Sequence, residues 1–302
     1  MNVLFASTIE PADRWLPLLE RALPQDRFVL EPRADIEVAL VGAPPKGSFA
    51  RLPNLKLVQS LWMGVENLLA DPELPAGVPL ARMVDAGMVA AMSETVIAHV
   101  LDWHRNFWSY RRRQAAKLWK RHRQYMAQDR TVGILGLGEL GGDAAQKLRA
   151  LGFQVCGWSR RPKALEGVHC STDLGEVLAR SDAVVCLLPL TAQTKGILDR
   201  AALSAIRKGG CLINVARGAH VVQADLLAAL DAGHLARAYL DVFDEEPLPA
   251  DSPLWAHPGV ALTPHIAALT EPRTALLTIV ENLERLRRGA APLHLVDRAA
   301  GY

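Results

Sequence analysis

The chain has 302 residues, 34 Lys and Arg against 32 Asp and Glu, and a formal net charge of +2. With 50% hydrophobic and 22% charged residues it falls among globular proteins, which excludes a disordered or fibrous chain. The near-neutral balance gives no general pull toward nucleic acid or an anionic membrane, and the length makes two domains the natural expectation.

No apolar run reaches the roughly 18 residues of a membrane span. Met1 to Ala6 has no basic region ahead of its short apolar stretch, so no signal peptide is expected. Cys156, Cys170, Cys186 and Cys211 show no metal-like spacing and read as reduced thiols of a cytoplasmic protein.

Val3 to Ala6 reads as a buried strand. Trp15, Leu18, Leu19 and Leu23 recur at helical spacing, and Pro24 ends that helix. Phe28 to Leu30, Val38 to Val41 and Leu55 to Gln59 are further strand candidates between Pro- and Gly-bearing turns. Ser93 and Glu94 open a long amphipathic helix with Ile97, Val100, Leu101, His104, Phe107 and Trp108 on one stripe, closing at the basic Arg111 to Arg113. Lys117 to Arg130 is a polar, basic connecting arm. The stretch Arg105 to Arg123, which mixes Arg, Lys, His, Phe, Trp and Tyr, is a candidate for nucleic-acid contact, but the whole-chain charge and the helical stripe favour helix burial plus a solvated face.

From Thr131 strands alternate with helices. The strands are Val132 to Leu135, Gln154 to Trp158, Ala183 to Leu188, Cys211 to Val215, Ala238 to Val242 and Val260 to Leu262. Asp143 to Leu151, Leu174 to Ala179, Leu203 to Ile206 and Asp225 to Ala232 supply helical pattern, and a last helix covers about 273 to 288. The alternation predicts an α/β fold of two doubly wound parallel-sheet (Rossmann-like) domains, the first discontinuous. The expected divisions are 1–97 with 268–302, and 98–267.

The sharpest motif is Gly136-Leu137-Gly138-Glu139-Leu140-Gly141, between a strand and a helix. In that setting the first Gly makes the tight turn, the second admits a pyrophosphate, and the third lets helix and strand pack closely. The N–H groups at the helix start then hold the anion. NAD sites carry Asp or Glu about 20 residues further on. Here Ser159 takes that place, followed by Arg160 and Arg161. A carboxylate repels a 2′-phosphate and Arg grips one, so NADP(H) is the expected cofactor, with NAD possible.

Three further stretches complete a pattern: Leu212-Ile213-Asn214-Val215-Ala216-Arg217-Gly218, Asp241-Val242-Phe243-Asp244-Glu245-Glu246-Pro247-Leu248, and Thr263-Pro264-His265-Ile266-Ala267. With the glycine turn, they resemble the D-isomer-specific 2-hydroxyacid dehydrogenase family. The resemblance is closest to its bacterial glyoxylate/hydroxypyruvate reductase A branch, with which Ser252-Pro253-Leu254-Trp255 and the ending Val296 to Tyr302 also agree.

That resemblance implies a catalytic triad of Arg217, Glu246 and His265, acting on glyoxylate and hydroxypyruvate as small 2-keto acids. The residue types suit the chemistry. His donates a proton near neutral pH, a carboxylate fixes its tautomer, and the planar Arg fork binds a carboxylate or polarises a carbonyl. Singly, each has a plainer reading: a solvated Glu246, a buried and satisfied His265, an Arg217 at a strand end. The resemblance also implies cofactor contacts at Glu139, Leu140, Leu188, Pro189, Thr194 and Ala216, and at Asp241 beside the nicotinamide.

The resemblance implies that the substrate carboxylate is held by Arg217 and the backbone of Gly64 and Val65, in the stretch Leu61-Trp62-Met63-Gly64-Val65-Glu66, with Trp62 and Met63 also among the substrate-binding residues. Trp62 and Met63 stand where the family has small residues, so they restrict the pocket, line it for apolar substrates, or point into the first domain's core. Trp119 resembles a family position that reaches toward a partner, implying a homodimer. Some relatives of the fold act as cofactor-responsive corepressor modules with little catalysis; the complete triad favours an enzyme.

Overall fold

The computed structural model describes residues 1–302. Contacts divide the chain into two compact units, residues 1–88 with 269–302, and residues 89–268.

The first unit is a five-stranded parallel sheet in the order β2-β1-β3-β4-β5. Its strands are β1 (Asn2–Ser7), β2 (Arg27–Val29), β3 (Val38–Gly42), β4 (Leu57–Ser60) and β5 (Leu80–Ala81). Every residue of β3 and β4 is buried, as expected of a sheet covered on both faces. Helix α1 (Ala12–Ala22) buries Trp15 and Leu19, while α2 (Glu66–Leu69) is a single turn. The chain's end returns to this unit as α9 (Pro272–Arg287), which starts on a Glu271 cap with Pro272 in its first turn. Buried Asn282 of α9 donates to Gln59 Oε1 at 2.7 Å and accepts from Leu293 N at 2.6 Å. One polar side chain thereby ties the returning helix to β4. The discontinuous first domain expected from the sequence is thus the observed architecture.

The second unit is a seven-stranded parallel sheet in the order β12-β11-β10-β9-β6-β7-β8. It comprises β6 (Thr131–Leu135), β7 (Gln154–Trp158), β8 (His169–Ser171), β9 (Ala183–Cys186), β10 (Gly210–Asn214), β11 (Leu235–Leu240) and β12 (Val260–Leu262). Successive side chains serve opposite faces. Val185 and Ile213 join the core beneath α3 (Ala86–His104) and α5 (Glu139–Ala150). Val184 and Leu212 join the core beneath α6 (Leu174–Arg180), α7 (Arg200–Ala205) and α8 (Gln223–Asp231). Each fully buried side chain of this kind is worth about 1.5–3 kcal/mol. The strand order reverses between β6 and β9, which makes their carboxyl ends the topological switch point.

The helix expected from Ser93 differs. It begins at Ala86, because Asp85 Oδ1 accepts from Gly87 N at 2.8 Å and Met88 N at 3.2 Å. Ser93 is buried inside it, its hydroxyl donating to Asp143 Oδ2 at 2.5 Å. The stripe also does not run through to Trp108. Asn106, at φ 58°, breaks the helix, and α4 (Phe107–Ala115) starts afresh, leaving Phe107 50% exposed. The contact boundary, at 88/89, falls within α3, the helix that the sequence reading divides at 97/98.

All four cysteines are free. Cys156, Cys186 and Cys211 are buried, and burial raises all three thiols, that of Cys186 to about 12.

Candidate active site

At the end of β6, Gly136 turns the chain with φ 100° and donates to Trp158 O at 2.9 Å. A side chain there would meet Leu187 O at 2.7 Å, and one on Gly141 would lie 1.8 Å from Gly136 O. Gly138, by contrast, faces open space and is the N-cap of α5, with no side chain capping the helix. The first N–H groups of α5, from Glu139, Leu140 and Gly141, therefore have neither an intrahelical acceptor nor a side-chain cap. This bare, positively polarised mouth fits a dinucleotide pyrophosphate.

The loop after β7 follows. Ser159 Oγ donates to Arg161 O at 2.7 Å, and Arg160 and Arg161 are exposed. Lys163, which the sequence reading did not single out, donates its ammonium to Leu137 O in the glycine turn at 2.6 Å. The available signal was a third cation in the same short loop. These cations beside the turn suit a 2′-phosphate better than a bare ribose hydroxyl.

Beyond β9, Leu188 is buried and Pro189 opens a loop closed by Thr194, whose hydroxyl donates to Pro189 O at 2.7 Å. The same carbonyl faces Nε2 of buried His220 at 3.2 Å. The other ring nitrogen of His220 faces Arg217 O at 3.2 Å. His220 thus braces the Pro189 loop against the turn that carries Arg217. Asn214, closing β10, folds that turn: its Nδ2 donates to Arg217 O at 2.8 Å, and its Oδ1 accepts from Ala216 N at 3.2 Å. Neither Asn214 nor His220 is among the expected site residues; Asn214 lies inside the motif that supplies Arg217, and His220 two residues beyond its end.

Arg217 is half-buried, and Ala216 beside it is buried. Gly218 next to it packs so closely on the Phe243–Asp244 peptide that a side chain would come within 2.0 Å of Phe243 C. The Arg217 turn and the Phe243–Glu246 turn are therefore directly apposed. Glu246 is oriented by Phe243 N, which donates to its Oε1 at 2.9 Å. Its Oε2 accepts from His265 Nδ1 at 2.7 Å. A carboxylate only accepts, so Nδ1 carries the hydrogen and Nε2 remains to exchange a proton. The pair is open, with 49% of the His265 side chain and 34% of the Glu246 side chain exposed.

His265 itself sits at φ 54°, a left-handed conformation uncommon for residues with side chains. Asp241, 1% exposed, holds it there. Its backbone oxygen accepts from His265 N at 2.8 Å. Its Oδ1 accepts from the Thr263 hydroxyl at 2.6 Å and Ile266 N at 2.9 Å, and its Oδ2 from Ala267 N at 2.8 Å.

The loop Leu61–Val65, after β4 in the first unit, leaves the N–H groups of Met63, Gly64 and Val65 without an acceptor in the chain. Trp62 is half-buried, and its indole N–H donates to Glu10.

Comparison with known proteins gives the family. Residues 97–267 match the model of the D-isomer specific 2-hydroxyacid dehydrogenase NAD-binding domain. The chain is 41% identical to glyoxylate/hydroxypyruvate reductase A of Yersinia enterocolitica, and 40% identical to that of Photorhabdus laumondii, over 100% of both chains in each case. Among solved structures, a D-isomer specific 2-hydroxyacid dehydrogenase from Xanthobacter autotrophicus Py2, in complex with NADPH and MES, superposes with a TM-score of 0.96 at 42% identity. It covers 100% of this chain and 99% of that one. The NADPH-dependent glyoxylate/hydroxypyruvate reductase of Sinorhizobium meliloti, in complex with NADP and sulfate, gives 0.94 at 36% identity with the same coverage. A glycine turn opening α5, an imidazole–carboxylate pair beside an arginine turn, and full-length likeness on this scale have one reading: the chain belongs to the D-isomer specific 2-hydroxyacid dehydrogenase family and is an NAD(P)-dependent oxidoreductase.

Proposed function

We propose that the protein reduces small 2-keto acids, glyoxylate and hydroxypyruvate foremost, to D-2-hydroxy acids with NADPH. The observation that carries this reading is the 2.7 Å contact between His265 Nδ1 and Glu246 Oε2, in the unit that also bears the glycine turn. Reductases of that name at 41% identity support the substrate class. NADPH and NADP in the similar solved structures support the cofactor, as do Ser159, Arg160, Arg161 and Lys163 where an acidic residue would select NAD.

When bound, NADPH supplies the hydride that reaches C2 of the keto acid. His265, with Nδ1 engaged by Glu246, gives a proton from Nε2 to the carbonyl oxygen; the C=O π bond is replaced by C–H and O–H bonds. Glu246 stabilises the cationic imidazolium before transfer and keeps the ring oriented after it. Arg217 holds the substrate carboxylate and polarises the carbonyl. The N–H groups of Met63, Gly64 and Val65 also bind the carboxylate. Gly136, Gly138 and Gly141, with the N–H groups of Glu139 and Leu140, hold the pyrophosphate, while Leu188, Pro189, Thr194 and Ala216 flank the nicotinamide half. Asp241 shapes the Thr263–Ala267 turn and borders the carboxamide.

We assign residues 1–97 and 268–302 to substrate binding and 98–267 to the dinucleotide. The 117–130 arm, where Trp119 is 96% exposed, supports a homodimer. The free cysteines fit the cytoplasm.

The test is direct. Purified protein, NADPH and each of glyoxylate, hydroxypyruvate and phenylpyruvate are mixed, and loss of reduced-cofactor absorbance is followed. Turnover of the two small acids is expected, with NADPH preferred over NADH by roughly tenfold or more. No oxidation with any 2-keto acid defeats the reading, and a tenfold preference for NADH defeats the cofactor assignment.

A further inference from the structure

The first unit holds an arrangement that the proposed chemistry does not use. Glu10, in the loop after β1, accepts two indole hydrogens. Trp15 Nε1, on fully buried Trp15 of α1, donates to its Oε2 at 3.2 Å, and Trp62 Nε1 donates to its Oε1 at 3.0 Å. The Glu10 backbone is fixed in turn. Its N–H donates to Ser7 Oγ at 2.7 Å, and Ser7 Oγ donates to Gly42 O at 2.5 Å. A side chain on Gly42 would come within 3.2 Å of Glu10 Cγ, so the glutamate lies across the carboxyl end of β3. A carboxylate anchored on one buried indole thus grips a second, half-buried one.

Trp62 is held at its backbone as well. Its N–H donates to Ser60 Oγ at 3.0 Å, and its carbonyl accepts from Met83 N at 3.0 Å. Leu61 before it is buried and donates to Val41 O at 2.8 Å. The three unsatisfied N–H groups of the loop begin at the next residue. A bulky ring with only two side-chain torsions, pinned at both ends, adjoins the backbone assigned to the substrate carboxylate.

We propose that Trp62, locked by Glu10, is a fixed wall that excludes 2-keto acids with branched or aromatic groups on C3 and so selects the small ones. This rests on the assignment of the Met63–Val65 backbone to the carboxylate. Trp62 supplies the bulk and Glu10 the immobility, since an unanchored indole can rotate aside to admit a larger group. Glu10 is a positioning residue, acting through Trp62 alone.

The experiment measures kcat/KM for glyoxylate and phenylpyruvate with NADPH in the wild type, Trp62→Ala, Trp62→Phe, Glu10→Ala and the Glu10→Ala/Trp62→Ala double variant. NADPH affinity by fluorescence titration and the unfolding temperature serve as folding controls. In Trp62→Ala the phenylpyruvate-to-glyoxylate ratio is expected to rise roughly 10–200-fold, the range a pocket gains from added apolar room. Trp62→Phe keeps most of the bulk and loses the anchor; it and Glu10→Ala should shift the ratio the same way by a smaller factor. In the Trp62→Ala background, Glu10→Ala should add nothing. An unchanged ratio in folded Trp62→Ala overturns the wall, and an independent effect of Glu10→Ala in the double variant overturns the lock. If Trp62→Ala does not fold, Trp62→Phe and Glu10→Ala decide, and unchanged ratios in both overturn the proposal. A wild type that reduces neither acid refutes the proposed function instead, and the proposal falls with it.

Discussion

His265, the proposed proton donor, sits at a backbone φ of 54° that few side-chain-bearing residues occupy, and the strain is held by Asp241, whose three acceptor atoms all serve residues 263–267. The imidazole is placed from both sides, by its own backbone and by Glu246 at Nδ1. His265→Gln should lower kcat roughly 10²–10⁴-fold, the usual share of a general acid, with NADPH affinity nearly unchanged. Glu246→Gln should lower kcat by a smaller factor, because the ring stays in place but loses its charged acceptor. Steady-state kinetics beside a cofactor titration checks both, and full turnover in either variant removes that residue from the mechanism. At this scale the sequence displayed the residues that carry a familiar chemical type in a motif: Arg217, Glu246 and His265. It did not display Lys163, Asn214 or His220, whose partners are backbone carbonyls that only the folded turns bring near. Nor did it reveal that Glu10 lies within reach of Trp62, 52 residues away.

The glycine turn shows how an element is set by the space it leaves. Gly141 occupies the first turn of α5 against Gly136 O, so the helix approaches β6 more closely than any side chain would allow. Gly141→Ala must push these backbones apart. It should destabilise the protein by about 1–3 kcal/mol, the range for overpacking, and weaken NADPH binding more than it changes substrate KM. Urea unfolding and fluorescence titration measure the two effects, and an unaltered cofactor affinity would show that the close approach is dispensable. The helical pattern of the sequence starts at Asp143, two residues past the motif, whose glycines are poor helix formers. Tertiary packing overrides that preference and starts it at Glu139. At Ser93 the difference has another cause. Ser and Glu resemble a helix start, but Asp85 already caps the helix two turns earlier. The short β5, β8 and α2 carry too few residues to show a period at all.

The stability of the whole molecule should depend on pH through histidines that catalysis does not use. His99 stacks on Tyr239 with ring centroids 4.8 Å apart, and His104 meets Phe153 edge-on at 5.0 Å. Burial lowers the pKa of both below the ordinary 6.5. For His104 the charges of Arg105 and Arg130 add to it; for His99 Arg237 adds, while Asp241 and Asp102 oppose. The unfolded chain then binds more protons than the native one as pH falls below 6.5, so stability is lost on acidification and is flat above that value as far as these groups are concerned. Urea midpoints should fall from pH 7.5 to pH 5.5, and His104→Phe should flatten the slope; an equal slope in that variant would assign the acid sensitivity elsewhere. The alternation of strands and helices, together with a final helix rejoining the first sheet, made the two-sheet plan visible from sequence. The strand order is carried by no single residue or motif and appears only in the folded sheets, where the reversal between β6 and β9 marks the switch point.

The four cysteines are unequal in a useful way. Three sulfurs lie in the interior with their thiolates disfavoured, whereas Cys170, in β8 at the rim of the nucleotide sheet, is only partly covered. Ser159 donates its N–H to Ser171 O, so β8 adjoins the loop assigned to the 2′-phosphate. Cys170 is therefore the expected first site of a maleimide dye on the native protein, beside the loop assigned to the 2′-phosphate, and peptide mapping of the labelled chain checks it.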